Sequence, residues 1–266
     1  MAIKKGKVIT ITSVKGGTGK TTTVLNLAGI FSSHQKKILI MDLDLYSSGI
    51  ALSLNLEPKG DIYKLVDDLN NNRFEKIENY ITNYNENIDV LTAPKDPRLA
   101  SKISSKYINI IIARAGYKYD AILIDTNHIM NEMNLVAFDN SDEILYVITN
   151  DPVDLKNMRT MVSIYEDMEL KNYKILLNEA HDRQRNYFNK YDIKNILKDN
   201  IDYTIPESFY VKTIDKYVLD GKILTLDKKI LSSHKKSINN FELIYRSLME
   251  ETKKESKKNK TKVEEN

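Results

Sequence analysis

The sequence predicts an α/β fold: a single doubly wound, mostly parallel sheet with helices on both faces. Three observations predict it. Strand-like and helix-like segments alternate from one end of the chain to the other. Several strand-like segments are continuous apolar runs, as strands are when helices cover both faces of a parallel sheet. A glycine-rich loop joins the first strand to the first helix, where such sheets place their phosphate-binding turn.

The first strand is KVITITS, residues 7–13, rich in β-branched residues. After the glycine loop comes a helix in which Val24, Leu27, Ala28 and Phe31 fall on one face. The second strand, KKILIMD, ends on an aspartate, and EPKGD marks a turn beyond it. Residues 61–84 suggest two short helices separated by an Asn-rich break. NIDVLTA is the next strand, APKDP the next turn, and Ile103, Tyr107, Ile110 and Ile111 are spaced for one buried helical face. YDAILIDT, EILYVIT, YKILLN and IDYTIP complete the strands. A last helix over about 234–251 carries Ile238, Phe241, Tyr245 and Leu248, spaced either for packing on the sheet or for a partner surface.

A chain of 266 residues is ample for one buried core, and neither a repeat nor an internal linker marks a second domain. The folded domain is expected over residues 1–251. The absence of cysteine removes disulfides, thiolate metal sites, iron–sulfur ligation and cysteine nucleophiles together. The first residues form no secretion signal, and no stretch approaches the roughly 20 apolar residues of a membrane span, so a cytoplasmic protein is expected. Net charge is +3, carried by the end of the chain: TKKESKKNKTKVEEN, residues 252–266, is Lys-rich and apolar-poor. Such a segment is expected to be a disordered tail, either solubilising or in electrostatic contact with nucleic acid, anionic lipid or an acidic partner.

KGGTGKTT, residues 15–22, follows a strand and opens an amphipathic helix, the setting a phosphate loop requires. Gly16, Gly17 and Gly19, with Thr18 between them, allow successive backbone N–H groups to converge on phosphate oxygens, and the helix N-terminus adds its positive end. Lys20 can reach the β- and γ-phosphates, Thr21 can ligate magnesium, and Thr22 can bind the α-phosphate. Asp42 and Asp44 stand at a strand's carboxyl end, where turn chemistry and ligand sites both occur. Asp125 closes another buried strand and can hold magnesium through a coordinated water. Asp120, before that strand, reads as a turn residue, while Asn127 and His128 beyond it are either γ-phosphate sensors or ordinary surface. Asn178, at the end of YKILLN, suits a turn or helix cap as well as a base contact.

Lys15 followed by Gly-Gly-Thr-Gly-Lys-Thr-Thr resembles the deviant phosphate loop of the MinD/ParA ATPases, and the resemblance extends over roughly residues 6–225. Val14, where the ordinary loop has glycine, fits a position that varies in this group. The resemblance implies a P-loop NTPase that binds ATP and Mg2+ and forms a homodimer in the ATP state, with Lys15 reaching the nucleotide across the subunit boundary. It also implies that Lys15, Lys20 and Asp44 are catalytic, Asp44 orienting the attacking water. Thr21, Asp42 and Asp125 would serve magnesium, and Asn178 and Pro206 the adenine, with Glu207 beside it.

The phrases DLDLYSSGIALSLNLEP, VLTAPKDPRLAS, YDAILIDTNH and LYVITNDPVDLKNMR further resemble the TadZ/CpaE subgroup, which implies a protein partner in pilus-assembly or secretion machinery. Those proteins commonly carry an N-terminal receiver-like domain, whereas here the phosphate loop begins within the first twenty residues. A ParA-type partitioning ATPase binding nonspecific DNA is the alternative, with the tail, LDKK and SHKK as contacts. A MinD-type regulator would need an amphipathic C-terminus that the hydrophilic tail does not provide. A reductase of the same scaffold would need cysteine, and a tyrosine kinase a C-terminal tyrosine cluster.

Overall fold

The structure, a computed structural model, describes residues 5–181 and 187–264, with side chains described as far as Met249. Its strands are β1 (Lys7–Thr12), β2 (Ile38–Leu43), β3 (Thr82–Asn83), β4 (Ile88–Leu91), β5 (Ala121–Thr126), β6 (Glu143–Ile148), β7 (Tyr173–Asn178) and β8 (Tyr203–Ile205). They form one sheet in the order β3-β4-β2-β5-β1-β6-β7-β8, parallel throughout except for β3. The chain builds outward from β1 on one side, returns through β5, and then builds on the other side. The carboxyl ends of β1, β2 and β5 are thereby gathered at one rim, beside the place where the winding reverses.

The helices are α1 (Lys20–Ser33), α2 (Gly49–Ser53), α3 (Ile62–Asn70), α4 (Ile108–Ala115), α5 (Glu132–Asp139), α6 (Pro152–Asp167), α7 (Lys190–Leu197), α8 (Ile214–Leu219), α9 (Lys228–Ser233) and α10 (Lys235–Glu264). Alternation along the strands sorts the core into two layers. Ile9 and Ile11 of β1 point with Val24, Leu27 and Phe31 of α1 and Phe241 of α10 into one layer. Val8 and Ile122 point into the other, with Leu65 of α3 and Ile112 of α4, and farther along it Tyr146 and Leu177 meet Leu155 of α6 and Ile193 of α7.

The seven anticipated strands are all present; β3, an antiparallel two-residue edge strand, was not anticipated. It replaces part of the second of the two short helices expected over residues 61–84. Helix α3 is there, but beyond it the chain makes only a single 3₁₀ turn, Ile77–Tyr80. The Tyr80 hydroxyl donates to Asp68 Oδ2 at 2.9 Å, which draws the segment back onto α3, and the following β-branched Thr82 pairs with Val90.

In α10, Ile238, Phe241, Tyr245 and Leu248 are buried within the chain, Tyr245 edge-on to Phe31 and Phe241 against Phe209. The packing reading of that stripe therefore holds. The backbone stays helical to Glu264, through residues 252–264 where disorder was expected. Lys and Glu are good helix formers. The side chains of this extension lie outside the described ones. Among the described residues, no helix is long and apolar enough to cross a membrane.

Candidate nucleotide site

Between β1 and α1 the chain makes the glycine-rich turn of residues 13–19. Gly17 and Gly19 take left-handed backbone, with φ of 75° and 92°. A Cβ on Gly19 would lie 2.6 Å from the Asn178 amide nitrogen, so glycine is required there for closeness as well as for conformation. Helix α1 has no side-chain cap and no acidic residue in its first turn. Its leading N–H groups and positive end are thus directed at the loop, an arrangement that attracts phosphate.

Lys20 starts α1 and lies beneath the loop, 8% exposed, with Nζ donating to Ser13 Oγ at 3.1 Å. Burial lowers the pKa of its ammonium, while Asp125, Asp44 and Asp154 oppose that effect. Ser13 Oγ in turn donates to the Lys15 carbonyl at 2.6 Å, so one buried hydroxyl joins the main chain at Lys15 to the ammonium of Lys20. The Lys15 side chain leads away from the loop to Asp151, with Nζ 3.0 Å from Oδ1.

Asp42 and Asp125 are direct neighbours across β2 and β5, and both are fully buried. Thr21 Oγ1 donates to Asp125 Oδ2 at 2.7 Å, while Asp125 Oδ1 is buried with no hydrogen-bond partner. Asp42 accepts backbone N–H groups from Asp44 at 3.1 Å and Ile50 at 3.3 Å. Burial pushes the Asp125 carboxyl up to about 7, against the Thr21 hydrogen bond and the charge of Lys20. Burial and then the neighbouring Asp125 raise Asp42 well above the usual carboxylate range. Two carboxylates so placed share a proton or a cation.

The orphaned Asp125 oxygen and the Thr21 hydroxyl fit magnesium, an oxygen-seeking ion that takes one or two protein ligands and completes its shell with phosphate and water. Among the described residues, no cluster of three or more His, Cys, Asp or Glu could hold a metal by itself. Asp44 is half-buried at the rim, its carbonyl accepting from the Ser47 and Ser48 N–H groups, and its charge is felt by Lys20, Asp42 and Asp125.

A cavity of about 260 Å³ opens beside the loop, lined by Gly19, Thr22, Asn178, Phe209, Tyr210 and Val211 among others. Asn178 borders it, but its amide is engaged: Nδ2 donates to the Thr18 carbonyl at 2.9 Å and Oδ1 accepts from Ala180 N at 3.2 Å. The residue thus braces the phosphate loop from the end of β7. Pro206 precedes the 3₁₀ turn Glu207–Phe209 and accepts from Phe209 N, so it shapes the turn that brings Phe209 and Tyr210 to the cavity wall. His128 is exposed, with its ring over Gly16, 3.5 Å from where a Cβ would stand. Asn127 Oδ1 accepts from Ile129 N and from Asn134, which is turn chemistry. Asp120 likewise accepts from Lys37 N at the end of a loop.

Sequence reasoning missed Ser13, Asp151 and Asp154. Asp151 caps α6, accepting from Val153 N and Asp154 N, and the Asp-Pro pair with which this helix opens was a legible signal for that cap. Asp154 is fully buried; its Oδ2 accepts from the N–H and hydroxyl of Thr149, both at 2.7 Å, and Oδ1 has no partner. Burial raises its carboxyl to about 6.

A family model described as an AAA domain matches residues 6–168, from β1 through α6. A putative septum site-determining protein MinD of Emiliania huxleyi is 25% identical over 228 residues, 84% of this chain and 82% of its own length. The crystal structure of a ParA family ATPase from Chlorobium tepidum superposes with a TM-score of 0.73 at 19% identity, covering 86% of this chain and 98% of that one. MinD of Pyrococcus horikoshii, complexed with Mg-ADP, gives a TM-score of 0.73 at 22% identity, covering 90% of this chain and 96% of that one. The loop and the carboxylate pair lie within the matched segment, and the chain belongs to this AAA domain family, with the P-loop fold of the MinD/ParA ATPases.

Proposed function

We propose that the chain is a magnesium-dependent ATPase whose ATP state pairs two copies, and whose working output is that pairing. The observation that carries the reading is the buried Asp125, bonded to Thr21, with one oxygen unpartnered and Lys20 beside it. Phosphate oxygens would sit on the loop N–H groups and on Lys20, and the purine in the cavity beside Asn178 and Tyr210. Magnesium, held by Thr21 and supported by Asp42 and Asp125, would neutralise charge on the β- and γ-phosphates. Water oriented by Asp44 would attack the γ-phosphorus as the bond from that phosphorus to the β–γ bridging oxygen breaks, one of its protons staying on the phosphate and the other passing to solvent, and ADP and phosphate would leave. Lys15 would approach the nucleotide of the facing copy. The Mg-ADP complex of the similar Pyrococcus horikoshii protein supports the choice of ligand.

Within this reading the folded unit spans residues 1–251 with a Lys-rich extension, and the paired state positions a cellular assembly. Pilus or secretion machinery is the favoured cargo, on the TadZ/CpaE-like phrases of the sequence. The second reading is partitioning of DNA, favoured by the likeness to a ParA family ATPase and by the lysines from residue 253 onward.

Size-exclusion chromatography with light scattering, with and without ATP, tests the switch. Lys20→Ala should remove binding or pairing, and Asp44→Ala should bind ATP and remain paired. An Asp44→Ala chain that stays monomeric in saturating ATP refutes the assignment. Removing residues 252–266 should abolish salt-dependent DNA binding if partitioning works through the tail, and should leave it unchanged if it does not.

A further inference from the structure

We infer that Asp151 is a positioning residue that parks Lys15 on its own subunit, so that pairing requires this ion pair to open. The inference rests on the proposed pairing and on three observations. The Lys15 ammonium lies 3.0 Å from Asp151 Oδ1, with the two side chains 37% and 19% exposed, so the lysine is held and yet free to swing outward. The same oxygen, Oδ1, caps α6 by accepting from Val153 N at 3.0 Å and Asp154 N at 3.1 Å. Lys15 therefore rests at the positive end of a helix, the wrong end for a cation, and the Asp151 charge is what makes the place tolerable. Finally, Ser13 holds the Lys15 carbonyl at 2.6 Å, so the main chain is fixed and only the side chain needs to move.

A polyphosphate on a facing copy carries more negative charge than one carboxylate and draws the ammonium off it. Each pairing event then opens two such bridges, one per subunit. A partly exposed ion pair shifts an equilibrium by up to about fivefold, and two opened together shift it by up to about 25-fold.

The test is Asp151→Asn in the full chain. Asparagine caps a helix as well as aspartate and keeps Oδ1, so α6 is preserved while the charge is lost. Without nucleotide, the rate at which an amine-reactive ester labels Lys15, followed by mass spectrometry, should rise severalfold in the variant. With magnesium and a non-hydrolysable ATP analogue, sedimentation across protein concentration should give a dimer dissociation constant lower by two- to 25-fold. Affinity for the analogue below the pairing concentration should stay within twofold of wild type. Equal labelling rates overturn the parking, and a wild-type dimer that Asp151→Asn leaves unchanged or loosens overturns its consequence. A wild-type chain that never pairs, with Lys15 labelling raised in the variant, refutes the proposed switch and leaves the parking standing.

Discussion

Asn178 and Gly19 are two halves of one contact, and a double-mutant cycle measures it. Asn178→Ala removes the donor to the buried Thr18 carbonyl and the acceptor for Ala180 N. Leaving a buried carbonyl unpaired costs about 1–3 kcal/mol. Gly19→Ala forces an L-residue into left-handed backbone at φ 92°, about 1–2 kcal/mol. It also sets a Cβ 2.6 Å from the Asn178 amide nitrogen, so the amide must leave the loop and the first cost is incurred as well. In the Asn178→Ala background that collision is gone, and Gly19→Ala should cost only its backbone strain. The double variant should therefore be more stable than the sum of the singles by about 1–3 kcal/mol. Urea unfolding without nucleotide supplies all four free energies. Additivity within about 0.5 kcal/mol, or an Asn178→Ala chain as stable as wild type, refutes the brace and returns Asn178 to a purely base-contacting role.

Asp154 supplies a pH signature. Its carboxyl is raised from 3.8 to about 6, so the folded chain holds a proton that the unfolded chain releases, and stability falls as pH rises from about 4 to about 6. Asp154→Asn should flatten that part of the stability–pH curve, worth up to about 3 kcal/mol, in thermal scans across the range. Phe241→Ala empties a fully buried site that packs on Phe209 and lines the cavity beside the glycine loop; it should cost about 3–5 kcal/mol in urea unfolding and, if the proposed purine site is right, weaken nucleotide binding. Asp125→Asn removes a buried charge, so the nucleotide-free chain should melt higher at pH 8 while the extra stabilisation that magnesium gives with ATP is lost; a variant that keeps the magnesium increment contradicts the assigned fit.

Local patterns were legible in the sequence; distant contacts were not. Apolar runs bounded by turn residues located the seven principal strands, because burial on both faces dictates composition directly. The phosphate loop was legible because its glycines and lysine must be contiguous. Strand β3 was not, since two residues carry no periodicity and pair only because β4 offers an edge. Asn178 was placed correctly at the end of its strand, yet what its amide bonds to lies 160 residues away. The same holds for Lys15 and Asp151: each had a complete local explanation, as loop lysine and helix cap, and only the fold brings them together. At the C-terminal end, composition pointed to disorder, whereas the described backbone is helical to Glu264.

The Lys7 ammonium donates to the Leu248 carbonyl at 2.7 Å, across a separation of 241 residues. It ties the strand that leads into the phosphate loop to the helix that covers α1. At about 5–20 residues per second, a ribosome would deliver Lys7 roughly 10–50 s before Leu248. Through that interval the Phe31 surface that α10 shields has no cover from that helix. The glycine loop is therefore made well before the helix that anchors the strand leading into it, and that anchoring waits for a residue 241 positions later.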